Sequence, residues 1–411
     1  MESEGMLRHL AFFEELSRMD ESDPTWRSVS AGLVVMRLVD NWIEDGAVAA
    51  RVDSWAISGA REAIAQVAET TPVRRILTSV VDIMTSSTAV DLHTLVPRLM
   101  AYGQALEYEA RYGLAADVYA TITAHVHPVQ DADLAVASYL RLGFCLRVLT
   151  QFDAATAAYE HASAVALESD DLIGVLRGRL GVARVIGSRG NMKDADAILA
   201  DAIDRAAAEG LDEVRSSALV DRAYIAGMGE LHERAIQYSY QALELSKSPR
   251  QRDGILNNIA TAFRYLGIAT AAQDAYLVLA ATAQDQYLRW LAEINLLELA
   301  AFQGRELQFD RYRRELEPLE FTPDLRVTYL LHVGRGYHAL GQPQIAITYL
   351  ERAIELASQH GLNRVLFEAE AALFEARRVE KLQQRTTTEI APEVQNVVNA
   401  VHDMREFAVM T

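Results

Sequence analysis

Small residues recur along this chain at a nearly fixed interval, and that recurrence restricts the fold more than any other feature. Ala155, Ala195, Ala235, Ala272 and Ala346 mark it, with Phe309 in the same slot, so the steps are 40, 40, 37, 37 and 37 residues. A frame travels with them. Tyr139-Leu140-Arg141-Leu142-Gly143 is followed by Leu146, Phe152, Ala155, Tyr159 and Ala162. Leu330, Val333, Gly334, Tyr337, Gly341, Ala346, Leu350 and Ala353 repeat it, as do Leu256, Ile259, Ala260, Phe263, Gly267, Ala272 and Tyr276. Thinner copies hold Gly190, Ala195, Leu199 and Ala202; Ala235 and Ala242; Trp290, Leu296 and Leu297 before Phe309; and Tyr102, Ala115, Tyr119 and Ile122.

The spacing has a physical cause. A first helix carries large residues and one glycine where a second helix crosses close by. The second helix answers with alanines, because small side chains let two helix backbones approach. The large residue four positions after the first alanine fills the gap toward the next repeat. Such units bury their apolar faces on one another and stack into one body of any length. Composition agrees: half of the 411 residues are apolar, nine are proline, and alanine and leucine dominate. Asp153 and Asp194 read as helix N-caps and Pro343 as a first-turn proline. Gly190, Gly229, Gly267, Gly304 and Gly341 read as turn residues needing positive φ.

This frame resembles the tetratricopeptide repeat (TPR), W-x2-L-G-x2-Y followed by A-x3-F and a further alanine. The period of 37–40 residues is longer than the standard repeat and resembles arrays of bacterial transcriptional activators and peptide-sensing regulators. The resemblance covers residues 95–378. It implies an all-α, right-handed TPR-like superhelical solenoid of about seven antiparallel helical hairpins.

Residues 1–94 read as a helical N-terminal capping bundle. Asp23-Pro24, Asp53 and Thr71-Pro72 start helices, Gly46 stops one, and Trp26, Trp42 and Trp55 form the core or else a partner-docking surface. Residues 379–411 hold a polar linker, Gln383 to Thr388, and a last helix opened by Pro392. Its stripe of Val394, Val397, Val401, Met404 and Ala408 either caps the chain's own solenoid or mediates homo-oligomer formation.

Thirty-nine basic and 57 acidic residues give a net charge of −18. An acidic surface repels phosphate backbones and anionic lipid, so neither nucleic acid nor membrane is an expected partner. The acidic start, Met1-Glu2-Ser3-Glu4, does not read as a secretory leader, and no run of 18 apolar residues occurs; a cytoplasmic location is expected. Catalytic signatures are missing: there is no G-x-S-x-G, H-E-x-x-H or C-x-x-C, and Gly187-Ser188-Arg189-Gly190 lacks the Lys-Ser/Thr of a phosphate loop. Cys145, the one cysteine, lies between Phe144 and Leu146 and reads as a buried small hydrophobe. His125, His127, Asp131 and Asp133 bracket Pro128, as turn residues do, although they are also metal-ligand types. No enzyme activity, cofactor or metal is expected.

In the tetratricopeptide superhelix the first helices line the concave groove. The resemblance therefore places Phe144, Arg147, Arg177, Arg184, Tyr224, Asn257, Arg264, Tyr265, Arg335 and His338 on a partner-binding face, with Glu298 as its one acid. Five arginines stand there against one glutamate in an acidic protein. Either they bridge to acids on adjacent helices, or they receive a carboxylate-bearing protein or peptide segment, which guanidinium forks match. The expected function is a non-enzymatic binding scaffold. The alternatives are the sensor half of a bacterial regulator and a structural subunit of a larger complex.

Overall fold

The computed structural model describes residues 8–43, 54–85, 92–360, 362–378 and 392–410, and every element within them is an α-helix. The fold is an all-α solenoid of antiparallel helix pairs, divided into two compact units, residues 1–198 and 199–411. Gly46, Asp53 and the polar segment 383–388 lie outside the described residues, as does the side chain of Ala408.

The first unit opens with α1 (Leu10–Arg18), α2 (Pro24–Ile43), α3 (Ser54–Ala65) and α4 (Pro72–Met84). It continues with the pairs α5 (Leu92–Tyr108) and α6 (Tyr112–His125), α7 (Ala132–Val148) and α8 (Phe152–Glu168), then α9 (Leu172–Ser188) and α10 (Met192–Ala208), in which the boundary falls. The second unit holds α11 (Asp212–Met228) and α12 (His232–Leu245), α13 (Pro249–Tyr265) and α14 (Ala269–Thr282), α15 (Gln286–Phe302) and α16 (Glu306–Leu316), and α17 (Pro323–Ala339) and α18 (Pro343–Gln359). It closes with α19 (Asn363–Arg377) and α20 (Pro392–Met410).

Helix lengths explain the drift in period. Helices α7 to α11 are each 17 residues, whereas α12 and α14 are 14. The first helices α13, α15 and α17 stay at 17, so the shortening from 40 to 37 is taken up by the second helices. Their crossings are closed by small residues. Ala155, Ala195, Ala272 and Ala346 have no exposure, nor does Phe309 in the same slot. Tyr159, four residues after Ala155, sits between two glycines: a Cβ on Gly143 of its own pair would lie 2.9 Å from its ring, and one on Gly181 of the next pair 2.2 Å.

Turn chemistry follows the register more closely than residue type. Gly190, Gly267, Gly304 and Gly341 have positive φ. Gly229 does not; it caps α11 at φ −86°, and the left-handed residue is Glu230 at φ 62°. Glu230 lies one 40-residue step after Gly190, so the repeat fixes the position and an ordinary residue tolerates the strain. The caps shift likewise. Asp153 lies within the first turn of α8, whose cap is Gln151, and Asn191 Oδ1 accepts from the Asp194 N–H. Both aspartates still sit favourably at the positive end of the helix dipole.

At the N-terminal end Trp42 is buried and Trp26 half-buried, but Trp55 is 76% exposed at the start of α3 and contributes no core. The start of α1 is tied to α2 and α6 through Asp40: His9 and His125 each place Nε2 3.0 Å from a different oxygen of Asp40, and Arg8 lies 3.4 Å away. Burial would raise the Asp40 carboxyl, but its hydrogen bonds to His125 and His9 hold it well below the usual range. In the second unit Val394, Val397 and Val401 are buried where α20 packs on α14 and α12.

Gly181→Ala should therefore destabilise the chain by about 1–3 kcal/mol, since the methyl must displace the Tyr159 ring. Gly59→Ala on α3, where a Cβ meets nothing within 4 Å, should be neutral or stabilising by about 0.4–1 kcal/mol. Equal losses in urea unfolding would show that helix propensity, not the crossing, sets the effect.

Candidate functional site

Residues about one repeat apart on successive first helices come within reach of each other, and this decides what the predicted face can do. In the second unit α13, α15, α17 and α19 contribute Arg264, Glu298, Arg335 and Glu368. Arg264 Nη1 donates to Glu298 Oε2 at 2.8 Å, 34 residues along the chain. Arg335 Nη1 lies 3.5 Å from Glu298 Oε1, and its Nη2 lies 3.5 Å from Glu368. The result is a ladder of alternating charge, with Glu298 completely buried at its centre.

His332, one turn before Arg335, places Nδ1 3.7 Å from the same carboxylate. Burial pushes the Glu298 carboxyl up, but the positive charges of His332 (when protonated), Arg264 and Arg335 outweigh it and hold it below its ordinary value. Burial likewise drives His332 down, to about 4, against the pull of Glu298. The imidazole is therefore neutral near pH 7, and the four ladder charges cancel.

Exposed aromatic residues lie on the same first helices. Tyr265, the last residue of α13, is 41% exposed; the Arg264 guanidinium lies 4.4 Å from its ring centre, and His232 stacks on it at 4.7 Å with the planes 2° apart. Phe302, one turn after Glu298 on α15, is 53% exposed. Tyr224 on α11 and Phe374 on α19 are also exposed, and His338 on α17 and Asn257 on α13 are half-buried.

The first unit builds a shorter version. Glu107 on α5 is buried, accepts from Arg141 Nη2 on α7 at 2.7 Å, again 34 residues away, and accepts from the Tyr119 hydroxyl at 2.7 Å. Phe144 packs edge-on against Tyr112, and the guanidinium groups of Arg141 and Arg147 lie 5.8 and 5.7 Å from its ring centre. Arg177 is exposed and Arg184 half-buried, each with interactions of its own. Cys145 is fully buried, and burial pushes its thiol well above the ordinary range.

The predicted arginines thus separate by environment. Arg264 and Arg335 have carboxylate partners inside the protein. Glu107, Arg141, His332 and Glu368 complete the networks and were missed, because no local pattern marks them. The signal available was positional: Glu107 and Arg141, and likewise Arg335 and Glu368, stand about one repeat apart on successive first helices. The histidines near Pro128 go separate ways, His125 to Asp40 and His127 into turn hydrogen bonds with the Val129 and Gln130 N–H groups. Among the described residues no group of three or more His, Cys, Asp or Glu could hold a metal ion, and no helix is long and apolar enough to cross a membrane.

No protein-family model matches the sequence, and no curated protein matches it. Among solved structures, the chain is similar to a Rap protein complexed with competence and sporulation factor, at 14% identity over 85% of this chain and 98% of that one, with a TM-score of 0.48. It is similar to the Rap conjugation gene regulator of the plasmid pLS20 in complex with the Phr* peptide, at 14% identity over 85% and 96%, with a TM-score of 0.43. BtubC (BKLC) from P. vanneervenii matches at 18% identity over 72% and 98%, with a TM-score of 0.31. At such identities and scores these likenesses carry no information about a ligand for this chain.

Two outcomes follow from the ladder. Glu298→Ala leaves buried cations without their partner and should cost about 3–5 kcal/mol in unfolding measurements. The folded state holds His332 near 4 and the unfolded chain near 6.5, so the unfolded state binds more protons between those values. Stability from this group is complete above about pH 6.5 and falls with acidification toward 4, by up to about 1.4 kcal/mol per unit. His332→Phe should flatten that slope relative to wild type; parallel curves would show that His332 is not held neutral.

Proposed function

We propose that the chain is a non-enzymatic scaffold that binds a segment of another protein on the first-helix face of its repeats. The observation that carries this reading is an exposed ring stacked on its neighbours at an internally cancelled ladder: Tyr265, with the Arg264 guanidinium 4.4 Å from its ring centre and His232 stacked on it, and Phe302, exposed at the corresponding position of the next first helix. Rigid aromatic area can be covered at little entropic cost, which is why such rings dominate protein interfaces. Because the ladder is neutral, recognition in the second unit is aromatic rather than ionic.

The carboxylate preference belongs, on this reading, to the first unit. Arg147 has a ring contact with Phe144 and no described ion pair, so a carboxylate on a bound segment would complete its fork. A sensor role has its own support. Arg264, Glu298, Arg335 and Glu368 come from four helices, so a ligand drawing one of them away would alter how those helices pack.

Panning a random peptide library against the chain tests both. Peptides retained by wild type should lose roughly tenfold or more in affinity on Tyr265→Ala or Phe302→Ala. Arg147→Ala should weaken only peptides bearing a carboxylate. If all three variants keep their helicity and wild-type affinity, the binding surface lies elsewhere. Altered hydrogen exchange across α13 to α19 on peptide binding would favour the sensor role.

A further inference from the structure

Helix α14 reads Ala-Thr-Ala-Ala-Gln-Asp-Ala-Tyr-Leu-Val-Leu-Ala-Ala-Thr, apolar almost all round, with a single acid, Asp274, that is 7% exposed. A second helix of a repeat should show a polar outer face. This one does not because α20 covers it. Val394, Val397 and Val401 bury themselves there, and the next turns supply two partners for the carboxylate: His402 Nδ1 at 3.0 Å and Arg405 Nη1 at 2.7 Å from Asp274.

Two features distinguish this contact from ordinary packing. Asp274 and Arg405 are 131 residues apart, and α20 packs on α14 and α12 rather than on the helix it follows. An open cleft of about 640 Å³ also runs along the contact, lined by Gln273, Asp274 and Arg305 and by Asn399, His402 and Arg405. A terminal helix whose described contacts are with helices far back in the sequence can make the same contacts on a second copy, which is how domain-swapped dimers form.

We propose that the α12/α14 face is a helix-receiving surface whose occupant can be the C-terminal helix of a second copy of this chain, giving a dimer by exchange. The charge complementarity of Asp274 with His402 and Arg405, together with the valine register, specifies that occupant. A second copy offers the same contacts in full, so exchange loses none. The surface lies on second helices and does not rest on the first-helix reading above.

A charge-swap pair of full-length chains tests it. In Asp274→Arg the groove repels its own C-terminal helix, and in Arg405→Glu the helix is repelled by its own groove. Mixed, the R405E helix fits the D274R groove only between copies. Wild type should show a dimer fraction that rises with concentration in light scattering. The mixed variants should form roughly tenfold more heterodimer than either forms homodimer, an effect of the size of one matched charge pair. Val397→Asp should abolish dimers in the wild-type background. A wild type that stays monomeric at every concentration, or a mixture with no heterodimer while both variants are folded by circular dichroism, overturns the proposal and leaves α20 as a fixed cover.

Discussion

The close crossing of each helix with its partner is the constraint from which the rest follows. Tyr159 shows how it is met: its ring fills the space between Gly143 of its own pair and Gly181 of the next, where neither position has room for a Cβ. The same device recurs with Tyr119 against Gly103, Leu350 against Gly334 and Phe309 against Gly336. One bulky side chain therefore locks a pair and, at Tyr159, also sets the spacing to its neighbour. Alanines on the second helix let the backbones approach; the glycine on the first receives the ring.

That spacing makes the charge networks possible. First helices set side by side bring residues about 34 positions apart into hydrogen-bond range, as Glu107 meets Arg141 and Arg264 meets Glu298. A buried ion pair contributes little net stability, because desolvation offsets most of the attraction. Mispairing it is costly, however, so these pairs act against slippage of one helix along another. In the second unit the same pairing leaves the charges of Arg264, Glu298, Arg335 and Glu368 cancelled within the protein.

Helix α20 meets the opposite requirement. The apolar outer surface of α14 would be a liability if bare, and the chain covers it with its own terminal helix. Asp274 then orients the cover, since three valines alone would tolerate several registers.

The sequence by itself determined the helix class and the positions of the crossings. A crossing demands small residues at a fixed interval, and that demand is written locally at Ala155, Ala195, Ala272 and Ala346. The tetratricopeptide resemblance also placed Arg264 and Tyr265 on a first helix, where α13 holds them. Only the tertiary structure decided which charges meet. Five arginines against one glutamate looked like an excess until Glu298 proved to hold two of them and Glu368 to share Arg335. Lateral distance between neighbouring helices sets such pairs, and no local pattern encodes it. The same reason covers Trp55, an aromatic residue suited to a core yet 76% exposed, and α20, whose valine stripe announced a partner without saying that the partner was α14.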